Sequence, residues 1–159
     1  MIVIKAPNKM EFSNRSVFLA GSIEMGKAVD WQSEVTNLLT NVDITVLNPR
    51  RDDWDSSWRQ SKDEPKFVEQ VKWELAGLQR ADVIIVYFAP GTQSPISLLE
   101  FGLYAKSPKV IVICPEGFYR KGNIDIVCEM YDVTQVETLE QAVAIVTNIV
   151  SILDNTKYE

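Results

Sequence analysis

Short apolar runs rich in β-branched residues alternate with helix-length amphipathic segments along the whole chain, and this alternation restricts the fold more than any other feature. It is the pattern of βαβ units, whose parallel strands are buried on both faces and joined by helices. Residues 16–20 (SVFLA) read as the first central strand, with residues 2–5 as an optional edge strand before it. A helix is expected over 25–40 with Val29, Val35, Leu38 and Leu39 inward, then a strand at 43–47 stopped by Asn48-Pro49. The stretch 50–63 is long, charged and holds two tryptophans; a connector of that kind inside a domain is usually functional. Phe67, Val71, Leu75 and Leu78 mark a helix over 64–80, and 83–88 (VIIVYF) is a strand buried on both faces. After a turn at 89–93, Ser94-Pro95 opens a helix with an N-cap hydroxyl and a proline at the first position. Strands at 109–113 and 131–136 and a closing helix over 139–153 complete the pattern.

Five strands with helices on both faces make an α/β chain with a flavodoxin-like, doubly wound parallel sheet of order 2-1-3-4-5. Right-handed crossovers put its ligand crevice at the carboxyl ends of the first and third strands, between the loops 20–26 and 89–94. With 159 residues, the chain is expected to form one domain over 1–159. Its 16 basic against 22 acidic residues leave a net charge of −6, which argues against a nucleic-acid polymer or an anionic membrane as partner. The absence of histidine removes imidazole as nucleophile partner, metal ligand and proton shuttle, so carboxylates, hydroxyls or tyrosines must carry any acid–base chemistry. Cys114 and Cys128 have no metal-site spacing, no metal site is expected, and no apolar run suits a membrane span; a cytoplasmic location is the reading.

Glu100 is the most informative side chain. It is the only charge in PISLLEFGLYA, with Ile96, Leu103 and Tyr104 one turn away, so its carboxylate is expected to be paired, protonated or presented in a pocket. Glu74 lies on the stripe of Phe67, Val71 and Leu78, with a solvated edge position as the alternative. Asp82 belongs to the opposite end of the sheet, at the start of its strand. The loop Ala20-Gly21-Ser22-Ile23-Glu24-Met25-Gly26 is too loose for a P-loop or dinucleotide fingerprint; it is either a polar-ligand site or a plain strand-to-helix turn, and Glu24 disfavours phosphate. Trp54, among the acids and arginines of 48–58, can stack on a planar heterocycle or simply anchor the loop.

The strings VFLAGSI (17–23), NPRRDDW (48–54), ADVI (81–84) and above all SPISLLEFG (94–102) resemble the nucleoside 2-deoxyribosyltransferase family. The resemblance implies exchange of the base on 2′-deoxyribonucleosides, with free nucleobases as the other substrate and no cofactor. It implies Glu100 as the nucleophile forming a covalent deoxyribosyl ester with overall retention. Asp53 and then Glu74 are the candidates for protonating the leaving base, and Gly21, Ser22, Trp54 and Ser94 are candidate substrate contacts. Asn123 and Asp125 match a segment that in the family reaches a neighbouring subunit's site, so a homo-oligomer with a shared site is expected. Val17 and Ser94 stand where the better-studied branch has a tyrosine and an aspartate, with Tyr87 or Tyr104 to supply the hydroxyl. Two other readings remain: a 2′-deoxynucleoside 5′-monophosphate N-glycosidase, and a non-catalytic nucleotide-binding domain.

Overall fold

The β-branched runs form the strands of a parallel sheet with amphipathic helices on both faces, in a computed structural model that describes residues 1–23 and 28–155. In chain order these are β1 (Ile2–Lys5), β2 (Ser16–Gly21), α1 (Trp31–Leu38), β3 (Thr45–Asn48), α2 (Pro65–Arg80), β4 (Val83–Tyr87), α3 (Pro95–Tyr104), β5 (Val110–Ile113), α4 (Lys121–Tyr131), β6 (Thr134–Val136) and α5 (Leu139–Asn155). The sheet order is β1-β3-β2-β4-β5-β6, with every neighbouring pair parallel. The sheet therefore has six strands, not five: the optional edge strand is real, and β1 pairs with the outer side of β3 from Ile2–Thr45 to Lys5–Asn48. Without β1 the order is the expected 2-1-3-4-5.

Side chains alternate cleanly along the central strands. Phe18, Ala20, Ile84 and Val86 face a core with Trp73 and Leu78 of α2, Phe101 of α3, and Ile124 and Cys128 of α4. Val17, Leu19, Val83 and Ile85 face the other core, with Trp31 and Val35 of α1 and the α5 stripe Ala142, Val143, Val146, Val150. The two cysteines are fully buried, and desolvation pushes both thiols up to about 11, which leaves them as small core residues.

Two expected elements change. The first helix begins at Trp31 because Asp30 caps it, its carboxylate accepting from the Ser33 backbone N–H. Val29 thus precedes the helix and is 74% exposed, Leu38 is also exposed, and the inner face is Trp31, Val35 and Leu39. The expected strand at 131–136 shortens to β6 because α4 runs on to Tyr131 and is closed by Asp132 in the left-handed region (φ 54°). Among the described residues, no helix is long and apolar enough to cross a membrane.

Candidate active site

The connection after β2 leads to α1 on one face of the sheet, and that after β4 leads to α3 on the other. These neighbouring strands thus form a topological switch point, where a crevice opens at the carboxyl edge. Gly21 pairs with Tyr87 at this edge; its φ of 141° and the 2.3 Å that would separate an added Cβ from the Tyr87 carbonyl oxygen leave no room for a side chain.

Ser22 follows, fully buried. Its Oγ lies 2.9 Å from Thr92 Oγ1 and 2.6 Å from Ser94 Oγ, and it accepts from the Ala89 N–H at 2.9 Å, while Trp31 Nε1 donates to its carbonyl. This clasp ties the two crevice loops together. It also explains why Ser94 is not the expected hydroxyl cap: Ser94 sits at the N-cap of α3 with φ 45°, and its side chain bonds sideways into the clasp instead of to the first helical N–H groups.

From the crevice a cavity of about 670 Å³ runs along α2 and α3. Gly21, Pro49 and Ser94 line one end; Gln70, Val71 and Glu74 of α2 and Ser97, Glu100 and Leu103 of α3 form its walls; Arg50, Arg51 and Trp54 close it from the loop after β3. Glu100 is buried, 8% exposed, although Ile96, Leu99 and Leu103 around it are 57–59% exposed and form an open apolar rim. The apolar helix is therefore sunk on only one side, and the carboxyl is presented in the cavity wall. Desolvation, with the Glu74 charge adding to it, pushes Glu100 up to about 8. Glu74 is half-buried and is pushed up to about 7 by desolvation, against a hydrogen bond from Gln70 that favours its ionised form. No basic side chain of the described residues forms an ion pair with either acid. Two carboxyls in one apolar cavity, both titrating near neutrality, can hold one proton and one charge between them.

The remaining candidates separate. Trp54 is in the cavity wall, packed edge-on against Trp58 with centroids 5.1 Å apart, and its buried Nε1 has no hydrogen-bond partner among the described residues. Asp53 is not brought to the cavity. It is exposed and grips the buried Arg51 through Nε (2.7 Å) and Nη2 (3.1 Å), and this hydrogen bonding, reinforced by the charge of Arg51, holds its carboxyl below the usual range. Arg51 also donates to Glu69 and lies over the Trp58 ring, so the tryptophan-rich loop is built around one sunken guanidinium. Gly21 lines the cavity, but Ser22 lies behind it. Asn123 and Asp125 stand on the first turns of α4, outside the cavity wall. Partial burial opposes the charge of Asp125, but hydrogen bonds from Lys121 and Gln135 outweigh it and keep its carboxyl low. Tyr87 packs against Trp31 and Tyr104 against Lys109; neither reaches the cavity. Glu24 lies outside the described residues.

Sequence reading missed Gln70 and Ser97. Both are buried polar residues one turn before a cavity glutamate, Gln70 at i−4 from Glu74 and Ser97 at i−3 from Glu100, and that spacing was the available signal.

Fold and cavity together define a doubly wound α/β protein with two carboxyls in the wall of a cavity at its switch point. Residues 14–118 match the family described as nucleoside 2-deoxyribosyltransferase like, and the chain belongs to that family. No curated protein matches it.

Proposed function

We propose that the protein exchanges the nucleobase of 2′-deoxyribonucleosides, with Glu100 as nucleophile and Glu74 as the acid that protonates the leaving base. The observation that carries this reading is the buried Glu100, without an ion-pair partner among the described residues, in the wall of a nucleoside-sized cavity with a second protonatable acid. The singly protonated pair reacts through the tautomer with the charge on Glu100 and the proton on Glu74, in which Glu100 attacks the anomeric carbon on the face opposite the base. The C1′–N bond breaks, its electron pair leaves with the base, and the Glu74 proton goes to that base. A nitrogen of the incoming base then displaces the Glu100 ester oxygen, the electron pair returns to the carboxylate, and the proton lost by the new base returns to Glu74. Two inversions give retention.

Glu74 is preferred to Asp53 because a donor must hold a proton near neutral pH and lie in the cavity, whereas Asp53 is exposed and stays ionised against Arg51. Trp54 offers an indole on which the base stacks. Asn123 and Asp125, which lie away from this chain's own cavity, fit a homo-oligomer in which they complete a neighbour's site. Incubation with a deoxyribonucleoside and a different free base, followed by chromatography, should yield the new nucleoside. If none forms with any purine or pyrimidine pair, the reading fails.

A further inference from the structure

Gln70 is 95% buried, one turn before Glu74 on α2, and its amide is oriented by its surroundings. Its Nε2 lies 2.8 Å from the Pro49 carbonyl oxygen and 2.9 Å from Glu74 Oε1. A backbone carbonyl only accepts, so the atom facing it must be the nitrogen, and both amide hydrogens are then committed. The amide oxygen is left buried without a partner among the described residues. An orphaned acceptor is a cost, and the fold sustains it to keep the two donors in place.

We propose that Gln70 is a positioning residue: anchored by Pro49, its amide holds Glu74 Oε1 as an acceptor and so confines the acidic proton of Glu74 to Oε2. This rests on the transferase reading for its chemical use, since that proton is the one passed to the departing base. In a neutral carboxyl the C=O oxygen is a better acceptor than the O–H oxygen, so an N–H held on Oε1 favours the tautomer with its proton on Oε2. The charged groups sharing the cavity are Glu100 from α3 and Arg50 and Arg51 from the loop after β3; Arg51 is held by Asp53 and Glu69, and Arg50 by Gln32 and the Ala28 carbonyl. Gln70 is thus the only side chain that hydrogen-bonds Glu74 among the described residues.

The test is Gln70→Met, which keeps length and bulk without the donors, alongside Gln70→Glu, which keeps the shape. The first readout needs no activity: ¹³C NMR titration of the glutamate side-chain carboxyls in the full chain, with the Glu74 signal assigned by its loss in Glu74→Gln. Removing the donor should move the Glu74 titration about one pH unit higher. The second readout compares an ordinary purine 2′-deoxyribonucleoside with its N7-methylated form, whose base is already cationic and leaves without a proton. Gln70→Met should slow the ordinary substrate about tenfold and the methylated one less than about twofold. A Glu74 titration unchanged in either folded variant, or equal slowing of both substrates, overturns the assignment. A wild-type protein that exchanges no base refutes the transferase reading instead, while the titration still decides whether Gln70 sets the proton of Glu74.

Discussion

Acidic side chains occupy both ends of the central strands, and they are treated in opposite ways. At the amino end Asp82, just before β4, accepts from the Ser16 N–H at 2.9 Å, the Ser16 hydroxyl at 3.0 Å and Arg15 Nη1 at 3.1 Å, stapling the starts of β2 and β4. At the carboxyl end Glu100 and Glu74 share an apolar cavity, with a single amide donor for the pair among the described residues. A carboxylate that serves the fold is saturated with donors, whereas one left poor in donors and desolvated costs stability and is held ready to change charge.

The contrast breaks first at Glu100. Glu100→Gln should cut base exchange about a thousandfold or more while the protein stays folded, judged by circular dichroism beside the activity assay. Exchange near the wild-type rate would remove the nucleophile and the mechanism with it. Asp82→Ala should do the reverse. It removes the acceptor of the fully buried Ser16 O–H and loosens the two strands, so unfolding in urea should show a loss of about 2 kcal/mol, with activity per folded molecule retained.

The two acids also give stability a definite dependence on pH. Their folded values, about 7 and about 8, lie above the usual glutamate value of 4.5, so the folded protein binds more protons than the unfolded chain in between. The contribution of these two acids to stability should therefore be greatest on the acid side of 4.5 and fall as pH rises through about 7 and about 8, above which the cost of both buried charges is present in full. Melting temperatures across this range should show that slope, and Glu100→Gln should flatten it and be more stable than wild type at pH 9. A slope of opposite sign would mean that an unseen partner favours the ionised acids. The exchange rate should be bell-shaped with its maximum between about 7 and about 8, where the pair holds one proton. Smallest of all, Asp53→Ala should change exchange less than about threefold, since its carboxylate serves Arg51 outside the cavity. A large loss there would move the proton donor back into the tryptophan loop.

How much of this was legible in the chain follows the same division. β2, β4 and β5 were readable because strands buried on both faces must be continuously apolar, and Glu100 stood out because a charge alone on an apolar helix demands an explanation. Sequence put Asp53 ahead of Glu74 as proton donor, and what favours the opposite order is the burial of Arg51 against Asp53, a contact decided by how the loop folds. Val29 falls outside the helix because Asp30 caps it one residue later, and Leu38, inside the helix, lies off the buried stripe of Trp31, Val35 and Leu39. The Ser94 hydroxyl left its capping position for a partner, Ser22, that is 72 residues away in sequence.

If the proposed ester on Glu100 forms, the rim of Ile96, Leu99 and Leu103 bears on what becomes of it. Aliphatic side chains offer approaching water nothing to hydrogen-bond, while a flat heterocycle gains contact area against them. In a transferase with this mouth, hydrolysis and transfer would compete through occupancy. The acceptor base would act as its own stopper, and the fraction of sugar lost to water would depend on how long the cavity stands open after the first base has gone.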